Sequence, residues 1–492
     1  MARWPMALAA VSGVLLGLRA VVAANTGLTD DEAYYRLWGL APALSYLDHP
    51  PLAGWLIAAG QWLAGDTSLG LRLAAVLAPL LGAVLALRTG TLLFGAAVGT
   101  QTAWLTLAMP LLAAGGVVMT PDVPSVLCWG LTGWAVAELY RSGRADWWLA
   151  VGLFAGLGLL AKYSNLFVGA GIVLWLLLSP QARRWWMAWQ LWAGGAIAVL
   201  CTGPVLWWNF IHHGASFSKQ FGRVGAGEWL TLRFMGELAG AMAGLLSPAI
   251  AVLAVIGLLQ TLQRARRDRD GPEVLLLCSI IPFASYLLVH CLHDRVQANW
   301  PAPLFPALGM LAALAMTAST RQKAAPNAAF WAVRRLALPL GFGLSGLIYL
   351  HALHPFVQLS GDRDPTSQMR GWPQFARDVE VARTAMGTQW IATSSFETTG
   401  QLAFALPSGP PVVQLDERLR YIHLPPVADT VLRAPALYVE LQRRADLALL
   451  RARFAAVEAA GTLTRSSGGV SIGTYVLYKV GEPIGAVLPP PE

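Results

Sequence analysis

Eleven apolar runs, near residues 5–24, 69–88, 92–112, 121–140, 147–161, 164–180, 188–209, 241–262, 274–291, 302–318 and 336–354, divide the first 354 residues of the chain. Crossing a hydrocarbon layer of about 30 Å takes about 20 helical residues, and a spanning backbone must satisfy its own hydrogen bonds. Runs of this length predict a mostly α, polytopic helical membrane protein with about eleven transmembrane helices. Composition agrees: 13% of residues are charged and mean hydropathy is +0.53, whereas soluble domains carry roughly 25% charge.

Net charge is +8, but the basic residues sit in short clusters beside apolar runs: Arg183-Arg184, Arg264 to Arg269, Arg321 to Lys323 and Arg334-Arg335. No recognition motif accompanies them, so nucleic acid is not an expected partner. Under the positive-inside rule all of them fall on one side once Arg3 is placed in the cytoplasm. The expected location is therefore a membrane crossed many times, with the C-terminus on the side opposite the cytoplasm. The first run is long for a signal peptide and contains Arg19, which favours an uncleaved span. Cys128, Cys201, Cys278 and Cys291 show no CxxC or metal-ligand spacing and read as packed thiols.

The unusual polar groups collect in the loops assigned to the outer side. Residues 25–68 are the richest, with Asp30, Asp31, Glu32, Asp48 and His49 between two apolar segments. Within this first outer loop, Glu32 to Leu44 and Pro50 to Ala64 are expected as short helices along the membrane interface. Asp122, Lys162, His212, His213, Arg223, Asp294 and Arg295 occupy other outer turns. Ionisable groups at membrane depth are costly and mark functional sites, so an outward-opening cavity is expected. The loop at 210–240 interleaves Phe217, Phe221, Trp229 and Phe234 with Lys219, Arg223 and Arg233. It reads equally as a cover for that cavity or as an anchor in lipid headgroups.

After about residue 355 charge rises and hydropathy falls. Segments Trp390 to Thr393, Pro411 to Leu415, Ala436 to Val439 and Tyr475 to Tyr478 read as strands, with helices at Glu397 to Leu406 and Leu441 to Phe454. The expected organisation is a transmembrane catalytic domain over 1–354 and a small periplasmic α/β domain over 355–492.

Each candidate residue also has a structural explanation. Thr29 followed by Glu32 forms a capping-box pattern, and acidic residues suit a first helical turn, which accounts for Asp30 and Glu32. Asp122, among prolines, suits a helix N-cap. The functional alternative gives the carboxylates base and orienting roles, or has Asp48, His49 and Asp122 share a divalent cation. Lys162, Arg223 and Arg295 are suited to an anionic headgroup or a phosphate leaving group, or else to snorkelling.

The segments DDEAYYRLW, LSYLDHPPLAGWL, MTPDVPSVLCW, GLGLLAKYSNLF, GPVLWWNFIHHGASFSKQFGRVG, VQANWPAPLFPAL and RGWPQF together resemble bacterial glycosyltransferase family 39. That group has the GT-C fold and includes protein O-mannosyltransferases and the aminoarabinose transferases of lipid A. The resemblance implies a polyprenyl-phosphate-linked sugar donor, a lipid or protein acceptor, surrounding membrane lipids and an inverting transfer at the periplasmic face. It implies Asp31 as catalytic base, with Glu32 beside it; Asp122, placed on the same side as Asp31 and Asp48, is a further candidate catalytic carboxylate. The aminoarabinose transferases carry a Glu-Lys pair where this chain has Asp48-His49, and an Arg where it has Tyr34. Both departures remove cations for the donor phosphate, leaving Lys162, Arg223, Arg295 and His49 to hold it. A lipid-linked-sugar transporter or flippase is the alternative, but such folds show repeated halves and polar breaks near the midplane. No internal repeat is present here.

Overall fold

The structure, a computed structural model, describes residues 3–222, 230–318, 328–357, 363–488 and 490. Helices dominate. In chain order they begin with α1 (Arg3–Asn25), α2 (Asp30–Leu40), α3 (Leu52–Ala64), α4 (Ser68–Phe94), α5 (Ala96–Ala108) and α6 (Pro110–Ala114). Next come α7 (Asp122–Ser142), α8 (Trp147–Ala161), α9 (Leu166–Leu178), α10 (Trp189–Cys201), α11 (Gly203–Ile211) and α12 (Ala215–Phe221). The apolar part closes with α13 (Arg233–Leu246), α14 (Pro248–Arg267), α15 (Pro272–His290), α16 (Phe305–Ala318) and α17 (Ala328–Leu353).

Among the described residues, five helices are long and apolar enough to cross a membrane: α1, α4, α14, α15 and α17. The pair α10 and α11, bent by 45°, makes a sixth if it counts as one span. The expectation of eleven is therefore not met by length. Several predicted spans are helices of only 13 to 15 residues, as in α5, α8 and α9. Local breaks shorten them. Lys162 and a 3-10 turn at Tyr163–Asn165 separate α8 from α9, and Pro110 restarts the chain after α5.

The chain forms two compact units, the first comprising Met1–Val21, Leu44–Ala53 and Arg72–Tyr349. Within it, α8 and α10 approach through glycines: a Cβ on Gly152 would run into the Gly194 carbonyl, and one on Gly194 into the Trp148 carbonyl. Gly156, one turn on, faces Ala198 and Cys201. This is a small-xxx-small interface, in which close backbone packing replaces the hydrophobic drive that lipid cannot supply. Gly257 of α14 lies as tightly against the Leu311 carbonyl of α16. Arg19 of α1 is buried, and its Nε donates to the Tyr349 hydroxyl at 3.1 Å, which donates to the Ala113 carbonyl at 2.7 Å.

The second unit comprises Val22–Ala43, Gly54–Leu71 and Leu350–Glu492. Its sheet contains β1 (Trp390–Thr393), β2 (Val412–Gln414), β3 (Ala436–Leu441), β4 (Phe454–Ser467) and β5 (Val470–Pro483) in the order β2-β1-β3-β5-β4. β1 pairs in parallel with β2 and β3, and β5 pairs antiparallel with β3 and β4. Alternation along β3 sends Leu437 and Val439 to one core with Phe375 and Val379, and Ala436 and Tyr438 to the other with Trp390 and Leu450. The helix expected over Leu441 to Phe454 is shorter, spanning Leu447–Arg453, and Phe454 opens β4. Long strand pairing with β5 overrides the helical preference of the alanines in β4. The helix Phe396–Ala405 packs on α2 so closely that a Cβ on Gly400 would lie 2.7 Å from the backbone of Ala33.

A polar knot closes the start of the C-terminal segment. Asp364 accepts from His351 at 3.2 Å, Arg370 at 3.0 Å, and the Thr366 amide and hydroxyl at 2.9 and 2.7 Å. Burial alone would raise its pKa, but the Thr366 hydrogen bonds, then His351 and the Arg370 charge, hold it below the ordinary 3.8. A depressed carboxylate adds stability above its unfolded pKa and loses it as pH falls through the folded value.

Two outcomes are expected. Gly194→Val should cost roughly 2–3 kcal/mol through overpacking, while Gly195→Val, with nothing within 4 Å of its Cβ position, should not. Thermal unfolding in detergent compares the two, and equal losses would refute the glycine interface. Asp364→Asn should lower the melting temperature at neutral pH, by roughly 1–2 kcal/mol of stability. Melting curves across pH should show the gap to the parent closing below about pH 4.

Candidate functional site

The three acids at the start of α2 have different fates. Thr29 caps the helix: its hydroxyl accepts from the Glu32 amide at 3.2 Å, and its own amide donates to Glu32 Oε2 at 3.0 Å. Glu32 is fully buried in this reciprocal cap, so its carboxylate, a candidate for catalysis, is held at the helix start. Asp30 accepts from Gln401 Nε2 at 3.0 Å, and the same nitrogen donates to the Leu28 carbonyl at 3.0 Å. Burial raises the Asp30 pKa above 3.8, against the hydrogen bond from Gln401. Asp31 is exposed. The two flanking acids build the helix start, and Asp31 is presented by it.

Deeper in α2, Arg36 is buried and its Nε donates to Asp66 at 2.9 and 3.1 Å. Tyr34, which stands where aminoarabinose transferases carry an arginine, packs edge-on against Trp38 and Tyr421. The Arg420 guanidinium stacks over the rings of both Tyr34 and Phe396, at 5.5 and 4.9 Å.

The first compact unit holds a separate set of charged groups. Lys162 follows the last turn of α8 in extended conformation, and Asp122 begins α7. A cation at a helix C-terminus and a carboxylate at an N-terminus both suit the local backbone dipoles. Lys162 Nζ meets Asp122 Oδ1 at 2.6 Å, and Asn299 Nδ2 donates to Asp122 Oδ2 at 2.6 Å. Asp122 is therefore not an N-cap, a position taken by Pro121, and both its oxygens are engaged. That suits orienting Lys162 better than removing a proton. Asn165 fixes the same turn, donating to Ser125 Oγ at 2.6 Å and to the Lys162 carbonyl at 3.3 Å.

Asp48 is paired with Lys219 of α12 at 3.1 Å, and the Gln220 side chain donates to the Asp48 carbonyl. Tyr163 hydrogen-bonds Ser216 at 2.8 Å and packs on Phe217 and Phe221, which seats α12 beside the Lys162 turn. The His49 carbonyl accepts from the Tyr46 amide at 3.1 Å.

Other candidates lie elsewhere. Arg295 is exposed and bound to Glu237 at 2.7 Å, an ion pair that competes with a phosphate role. Arg223 lies outside the described residues. Among the described residues no three His, Cys, Asp or Glu side chains gather as a metal-binding group. The expected divalent-cation set of Asp48, His49 and Asp122 is not assembled, because each of the two carboxylates is paired with a lysine instead. Lys219 and Asn299 were not among the expected site residues. Their segments, SFSKQF and VQANWP, lay within the family-like motifs, but nothing in the spacing showed which carboxylate each would meet.

Residues 48–208 match the family model described as dolichyl-phosphate-mannose-protein mannosyltransferase. Over 403 residues the chain is 26% identical to the lipid A galacturonosyltransferase RgtD of Rhizobium johnstonii, covering 80% of this chain and 82% of that protein. It is also 26% identical over 341 residues to the undecaprenyl phosphate-alpha-4-amino-4-deoxy-L-arabinose arabinosyl transferase of Erwinia tasmaniensis, covering 64% of this chain and 59% of that protein. Crystal structures of ArnT from Cupriavidus metallidurans, apo and bound to undecaprenyl phosphate, align over 99% of both chains at 17% identity, with TM-scores of 0.62 and 0.64. The resemblance to glycosyltransferase family 39 holds. The chain is a multi-pass helical membrane protein with an ArnT-like GT-C fold and a small C-terminal sheet.

Within a family-39-like chain, the acidic triplet can be tested by stability alone. Glu32→Ala should cost about 1–2 kcal/mol by removing a buried cap partner. Asp31→Asn, an isosteric change at an exposed position, should cost less than Glu32→Ala. Melting temperatures of the two purified variants check this division, and a large loss in Asp31→Asn would show that residue to be structural.

Proposed function

We propose that this protein is an inverting glycosyltransferase that moves a sugar from a polyprenyl-phosphate-linked donor to a hydroxyl or phosphate on lipid A, another envelope glycan or a protein. The observation that carries the reading is Asp31, exposed at the head of a helix whose neighbouring acids are both consumed in holding that head. The likeness to lipid A sugar transferases over most of the chain supports it. So does the fold shared with ArnT, whose bound state holds undecaprenyl phosphate.

In this mechanism Asp31 takes the proton of the acceptor hydroxyl as its oxygen attacks the sugar C1 from the face opposite the phosphate. The C1–O bond to the phosphate breaks, and the polyprenyl phosphate leaves with added negative charge. Lys162 offsets that charge, and Asp122 and Asn299 hold the ammonium in place before the donor arrives. Transfer is placed at the periplasmic face of the inner membrane by the positive-inside reading of the basic clusters.

Purified Asp31→Asn, reconstituted with lipid-linked donor and acceptor, is expected to lose transfer by at least about 10²-fold, the scale of a missing general base. Undiminished transfer would remove Asp31 from the base role. Mass spectrometry of envelope glycolipids from cells with and without the gene identifies the sugar: a missing pentose, hexose or hexuronic-acid mass names it, and an unchanged profile argues against a lipid A acceptor.

A further inference from the structure

In the first unit a cavity of about 250 Å³ is bordered by Tyr140, Arg141, Trp175, Ser179, Arg184 and Asp270. The reaction proposed above makes no use of it. Its charge is unusual. Arg141, in the last turn of α7, has no acidic partner among the described residues, and neither has Arg184. The Arg184 guanidinium lies 4.5 Å from the ring of Trp185, which fixes its plane, and Gly143, the left-handed cap of α7, lies beside its Nη2. A stacked guanidinium of this kind is preorganised to fork onto two oxygens of a phosphate or carboxylate.

Asp270 lies between α14 and α15. Its Oδ1 accepts from Ser179 Oγ at 2.5 Å and the Gln181 amide at 2.8 Å, and its backbone carbonyl accepts from the Tyr140 hydroxyl at 2.8 Å. It therefore acts as a fixed brace for the cavity wall. Two guanidinium charges and one carboxylate leave the cavity one positive charge in excess.

The rim indicates where such a charge would be met. The segment that supplies Arg184 runs on into Met187, Trp189 and Trp192, all largely exposed. Tryptophans beside arginines at the end of apolar helices form the belt that sits at the headgroup level of a bilayer. The indole of Trp192 donates to the Trp186 carbonyl at 3.0 Å, which ties the belt to the residue after Trp185, itself part of the cavity lining.

We propose that this cavity binds the headgroup of an anionic phospholipid, with a monoanionic phosphodiester seated between Arg141 and Arg184 and its chains against the tryptophan belt. The excess of one positive charge matches one phosphodiester, and the apolar rim matches the chains attached to it. A zwitterionic headgroup would bring an ammonium that the two guanidinium groups repel.

Native mass spectrometry of the full-length protein in detergent, titrated with phosphatidylglycerol, tests this. The parent should retain one phosphatidylglycerol, and Arg141→Gln/Arg184→Gln should weaken its retention about tenfold or more. Arg144→Gln/Arg183→Gln removes the same charge from neighbouring residues that do not line the cavity, and should retain the lipid. Unchanged retention in the cavity variant, or equal loss in the neighbouring variant, overturns the site. Equal retention of phosphatidylcholine overturns the selectivity for an anionic headgroup, and displacement by millimolar inorganic phosphate shows a free-phosphate site instead.

Discussion

A lysine at the end of an apolar helix keeps its charge only if the protein supplies what water would have supplied. Lys162 depends on Asp122 at 2.6 Å, and Asp122 in turn on Asn299. This pairing constrains much of the first unit. It fixes the break between α8 and α9, where the expected turn between two apolar runs is a 3-10 turn between helices of 15 and 13 residues. It also ties three segments distant in sequence to one carboxylate. Removing either partner of a part-buried pair leaves an uncompensated charge, which costs far more than the pair itself contributes. The arrangement is thus held by the penalty for breaking it.

The same economy operates at the head of α2, where carboxylates adjacent in sequence do unlike work. Glu32 satisfies orphan amide donors of a helix start, and Asp30 locks that start to Gln401. A helix so tightly capped and packed against Gly400 has little freedom to rotate, and the direction of Asp31 follows from that rigidity. Such rigidity suits the base role proposed for Asp31, because a freely rotating carboxylate would spend part of its advantage on ordering.

Much of this was legible before any coordinates. The apolar runs announced a membrane protein, and the T-D-D-E pattern announced the capped start of α2. Strands β1, β2 and β3 followed from short β-branched and aromatic runs. Other features were hidden for physical reasons. The count of eleven is not confirmed by helix length, because hydropathy records apolar composition, whereas Pro110 interrupts the helix ladder inside the apolar run at 92–112. β4 was hidden because its alanines favour helix locally, and only pairing with β5 makes them a strand. Glu440 is fully buried in β3 and accepts from the Ser395 amide and the Thr398 hydroxyl at 2.8 Å. No periodicity marks a buried acid whose partners come from another element.

The Asp48 region shows how a motif can change while its electrostatics persist. A Glu-Lys pair places anion and cation on adjacent residues, and this chain has Asp48-His49 instead. The lysine has not vanished from the structure; it arrives from α12 as Lys219, 3.1 Å from Asp48. A lysine carried on a separate helix moves with that helix, and α12 is seated by Tyr163, the residue next to Lys162. Lys162 and Lys219 are therefore linked through the contacts of Tyr163 with α12. An event that shifted α12 would be felt at the Lys162 turn, whereas an adjacent Glu-Lys pair carries no such coupling. The different motif thus goes with a different set of elements that answer to one another, and both Asp48 and Asp122 are paired with a lysine.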